Sequence, residues 1–122
     1  MAITGGQIFD GVSLAADVTS TEVDMRERLS VGIRLESAIG TRAGTIAIEG
    51  KIGGGAWDEI SFFDNTGTIV SSITVSAGSA LDATIQLGGP LNYDLLRVAF
   101  ADGTGGAGVG TIDGWVDRGF TG

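Results

Sequence analysis

Leu29-Ser30-Val31-Gly32-Ile33-Arg34-Leu35 is the stretch on which the fold turns. Leu29, Val31, Ile33 and Leu35 fall on one side of a two-residue period, and Ser30, Arg34 and the following Glu36 fall on the other. That alternation predicts a strand half-buried in a sheet. Ile46, Ile48 and Ile52 repeat it, with Gly50 in an inward slot where a side chain from another strand can press close. Gly53-Gly54-Gly55 then turns the chain, and Ala56-Trp57-Asp58-Glu59-Ile60 returns as the second arm of a hairpin.

Further along, Ser72–Val75 and Ala83–Leu87 alternate as shorter strands, the second ended by Gly88-Gly89-Pro90. Leu96, Val98 and Phe100 make the inward face of a strand from about Tyr93 to Ala101. After a loop from Asp102 to Gly108, a last strand near Val109 to Asp117 buries Ile112 and Val116, with Gly114 between them and Trp115 on the opposite face. Thr21–Leu29 reads equally well as a short helix or a charged strand, and no other segment carries a helical period. Seven to nine short antiparallel strands separated by glycine turns predict an all-β, single-domain sandwich or jelly roll with minimal helix; a closed barrel is the alternative.

Composition agrees. The 122 residues include 22 glycines and one proline, without a Gly-X-Y period. A chain that is 43% hydrophobic and 18% charged can bury a core, and it contains no apolar run that would span a bilayer. Residues 1–12 alternate poorly and are expected to form an N-terminal arm or an edge strand, with 13–122 as the sandwich domain. Ile3, Ile8 and Phe9 are apolar groups in that weakly patterned segment, which marks them, with Trp115, as candidate partner-binding residues.

Cysteine and histidine are absent, so thiolate and imidazole metal sites, disulfides and the usual general base are excluded. No enzyme chemistry, cofactor or metal site is expected. Gly103-Thr104-Gly105-Gly106-Ala107-Gly108 has the letters of a dinucleotide fingerprint, but a strand rather than a helix is predicted to follow it. Asp10, Asp17, Asp102 and Asp113 could bind Ca²⁺ only if folding gathers them. Asp58 and Glu59 beside Trp57 imitate a sugar site, yet neighbouring strand residues point to opposite faces. A formal net charge of -8 disfavours nucleic acid. The closest basic pair, Arg26 and Arg28, is surrounded by Glu22, Asp24 and Glu27 and reads as a solvated strand end. The first residues lack a signal-peptide pattern, which leads to an expectation of assembly in the cytoplasm.

Gly44-Thr45-Ile46-Ala47-Ile48-Glu49-Gly50, then Gly54-Gly55-Ala56-Trp57, then Tyr93-Asp94-Leu95-Leu96-Arg97-Val98 together resemble a pattern of small structural proteins of tailed phages. The resemblance covers roughly residues 29 to 117 and departs at Gly53–Gly55, where the usual turn aspartate is missing. It implies a capsid decoration, or cement, protein: a β-sandwich that assembles as a homotrimer and locks major capsid protein subunits together on the virion surface. A tail, neck or fibre component and a carbohydrate-binding module using Trp57, Trp115 or Tyr93 are the other readings.

Overall fold

The computed structural model describes residues 2–26, 28, 30–88 and 92–117. It is all-β, with twelve strands in two sheets and no helix among the described residues. The strands are β1 (Gly6–Ser13), β2 (Val18–Thr19), β3 (Val23–Asp24), β4 (Val31–Ser37), β5 (Gly44–Lys51), β6 (Asp58–Ile60), β7 (Phe62–Phe63), β8 (Ile69–Val70), β9 (Ile73–Val75), β10 (Leu81–Leu87), β11 (Leu95–Asp102) and β12 (Thr111–Val116). One sheet runs β1-β12-β4-β10-β7-β8. The other runs β2-β11-β5-β6, with β3 also on β11 and β9 also on β5. All named strand pairs are antiparallel.

The long strands follow from alternation. In β4, Val31, Ile33 and Leu35 are buried; so are Ile46 and Ile48 in β5, Leu96, Val98 and Phe100 in β11, and Ile112 and Val116 in β12. Both sheets turn these rows inward onto one shared core. Leu29 and the Gly89-Pro90 strand end lie outside the described residues.

Twelve strands exceed the seven to nine expected because side chains interrupt two paths. The Asp64 carboxylate accepts bonds from the Thr66 and Thr68 amides and from the Thr66 hydroxyl, closing a tight turn between β7 and β8. Between β2 and β3 the Ser20 hydroxyl accepts the Val98 amide at 2.9 Å, standing in for the carbonyl that a continuous strand would present.

Ile52, Ile8 and Phe9 are not where the sequence placed them. Ile52 is 57% exposed, because β5 ends at Lys51 and the chain turns through Gly53 at φ +56°. Residues 6–13 are an edge strand of the domain itself, and Ile8 and Phe9 are buried in its core. The weak alternation has a physical cause: register shifts between Gln7 and Phe9, and again between Phe9 and Val12, let two successive side chains both point inward. Gly114 makes room for them, since a Cβ there would lie 3.2 Å from the Phe9 ring, 3.3 Å from Ile8 and 2.9 Å from Leu35. Ile3 bridges in parallel to Val23 and packs on the core's margin.

Candidate functional site

With Ile8 and Phe9 consumed by the core, the outward faces of the two sheets and the loops remain to meet a partner. On the outward face of β5 and β11, Arg97 donates to Glu49 at 2.7 Å from the neighbouring strand. Its guanidinium also lies 4.1 Å from the centre of the Trp57 ring, and the Lys51 ammonium lies 5.6 Å from the same centre. Two cations thus lie on the indole as cation–π partners. Trp57 is a sheet-surface aromatic already engaged by the chain's own cations and is not a bare platform for a sugar ring. Beside the stack runs a shallow furrow of about 360 Å³, floored by Ala47, Ala99 and Thr45 and bounded by Glu59 and Asp17.

Gly50 is where a neighbour presses close, as its inward slot suggested. A Cβ there would sit 2.5 Å from the Tyr93 ring and 2.6 Å from Ile60, so Tyr93 packs over this glycine. Tyr93 is half-buried by that contact.

The opposite sheet presents a different face. Trp115 is 37% exposed, between Gln7 of β1 and Arg34 of β4, and Thr84 of β10 lies beyond Arg34. One row away, Gly32, Gln86, Phe63 and Ile69 stand side by side, with Phe63 and Ile69 exposed. Toward the other end Asp113, Glu36 and Asp82 form a row across β12, β4 and β10. Arg34 bonds Glu36, Asp82 and the Thr84 hydroxyl. Of the four residues expected to contact a partner, only Trp115 is on an open face.

Three of the four aspartates weighed as Ca²⁺ ligands, Asp17, Asp102 and Asp113, serve the backbone. Asp17 accepts the Asp102 amide at 2.7 Å, and Asp113 accepts the Gly11 amide at 2.8 Å. Asp102 takes the Thr104 hydroxyl and amide and the Gly106 amide, closing the Gly103–Gly108 loop that leads into β12. The Thr104 hydroxyl, followed by those amides, holds the Asp102 carboxyl below its ordinary value. Asp64 is lowered likewise, first by the Thr66 hydroxyl. Among the described residues no three carboxylates come together in a way that could hold a metal ion.

Two arginines are buried that the sequence did not mark as interior. Arg28 is no solvated strand end but is buried, donating to the carbonyls of Thr4, Ser30 and Asp117 and to the Asp117 carboxylate. Arg42 is wholly buried and donates to the Ser37 hydroxyl and to the carbonyls of Ser37, Ser76 and Ser79. The available signal was remote: Gly108 and Gly110 leave the space that Arg42 occupies, and a Cβ on either would meet it within 2.9 Å.

No family model matches the chain, and no curated protein matches it either. Among solved structures it is similar to the crystal structure of SPBc2 prophage-derived protein YomS, with a TM-score of 0.65 over 92% of this chain and 91% of that one. At 12% identity this likeness is one of fold.

Proposed function

We propose that the chain is a non-catalytic structural protein of a tailed-phage particle, and within that class a decoration protein that binds the major capsid protein shell as a homotrimer and stabilises the head. One observation carries the reading. The three sequence pieces that resemble phage structural proteins fall on β5, on the turn that leads into β6, and at the start of β11, where Glu49, Arg97 and Trp57 form a single stack. The fold shared along nearly the whole chain with a prophage-derived protein supports the same class. On this reading the chain assembles in the host cytoplasm onto the capsid surface, contacting neither membrane nor nucleic acid.

The test is a cryo-EM comparison of particles from the phage that encodes the chain, with and without its gene. Density on the head shell that vanishes with the gene is the expected result. Density lost from the tail or neck overturns the decoration role and leaves a tail component. A glycan array on the isolated protein examines the sugar-binding reading, which the cation-covered Trp57 disfavours.

A further inference from the structure

We infer that the outward face of the sheet β1-β12-β4-β10-β7-β8 is the seat of the chain on the particle, that it takes a basic protein surface, and that Trp115 is its anchor. This rests on the reading above and names the face and the chemistry of the partner.

The two outward faces differ in what they leave unfinished. On the β5–β11 face the aromatic is capped by Arg97 and Lys51, and Arg97 is also bonded to Glu49. On the other face Trp115, Phe63 and Ile69 are 37%, 40% and 65% exposed. Between Phe63 and Asp117 lies a hollow of about 320 Å³ where Gly32 provides no side chain, and a Cβ there would come 2.9 Å from the Asp117 carboxylate. A partner side chain has room to enter it.

Charge selects the partner. Like charges placed directly opposite on neighbouring strands repel, and here Glu36 lies opposite Asp113 on one side and Asp82 on the other. Arg34 bonds Glu36 and Asp82, while Asp113 receives only a backbone amide. Three carboxylates thus lie in one row with a single guanidinium, which bonds two of them, next to an exposed tryptophan. Cations of a partner relieve that repulsion on contact, and an indole surrounded by polar groups is the kind of residue on which binding energy concentrates.

The experiment uses heads purified from the encoding phage lacking this gene, with binding followed by co-sedimentation. The wild-type chain is expected to bind, and affinity should fall by about tenfold as salt rises from roughly 0.05 to 0.5 M. Trp115→Ala should weaken binding by about thirtyfold. Asp113→Asn combined with Glu36→Gln should weaken it and flatten the salt dependence. Thr45→Arg, on the opposite sheet, should bind as wild type. Thermal melts check that each variant folds, and the double amide variant keeps the test open if Trp115→Ala does not. Wild-type binding with both face variants within twofold, or loss on Thr45→Arg, overturns this face while leaving the decoration role standing. Absence of wild-type binding at every salt removes both.

Discussion

Arg42 carries a full charge into the interior, and no ion pair among the described residues includes it. What holds it is geometry: its fork meets three carbonyls and one hydroxyl, joining the end of β4 to the connection between β9 and β10. Truncation would remove the donor from the buried Ser37 hydroxyl and carbonyl, and an orphaned buried polar group costs about 1–3 kcal/mol. Arg42→Ala should therefore lose about 3 kcal/mol or more in urea denaturation. Arg42→Lys should recover little, since an ammonium cannot reproduce the fork. Asp24 gives a residue-scale signal in pH. The Arg26 side chain beside it lowers its carboxyl from 3.8 to about 2. A depressed acid stabilises the folded state above its unfolded value, and that contribution disappears as pH falls through the folded one. Asp24→Asn should flatten part of the stability-versus-pH curve between about pH 4 and 2 and leave the curve above pH 5 unchanged in slope. Urea melts at stepped pH measure both.

Among the elements, β1 separates two pictures of the N-terminus. An arm could be removed without harm, whereas an edge strand whose Ile8 and Phe9 fill the space over Gly114 could not. A chain beginning at Val12 should fail to show a cooperative melt, and Phe9→Ala in the full chain should cost about 3–5 kcal/mol. Retention of a cooperative transition by the shortened chain would return these residues to the surface. β1 also marks the limit of what a sequence discloses. β4, β5, β11 and β12 were legible because each repeats a strict period of two against one core. The bulged β1 was not, because a register shift erases the period while preserving the strand. The pieces from 58 to 75 were legible only in part, since the turn at Asp64 is made by side-chain bonds rather than by glycine alone. Trp115 was readable as outward by parity. The burial of Arg28 and Arg42 was not, because their acceptors are carbonyls contributed from distant parts of the chain.

For the molecule as a whole, charge is the property that reaches furthest. A formal charge of -8 opposes non-specific clumping at neutral pH, and the sequence isoelectric point lies near 4.1. Light scattering should rise as pH approaches 4, where the repulsion between copies fades. Glu36→Lys should shift that onset upward, because it removes a negative charge and adds a positive one. An unchanged onset would place the controlling charges elsewhere. The ends of the chain carry a separate consequence. Gly6 pairs with Val116, and Arg28 gathers the Thr4 and Asp117 carbonyls at the same pole. A pull applied through the two ends would peel β1 from β12 one rung at a time, with the arginine as the first latch to give. The same domain pressed or sheared across its sheets would engage many rungs together. As a mechanical part it is soft when drawn out by its ends and stiff when loaded through its faces, so it suits a rivet held by its sides rather than a tether strung between two points.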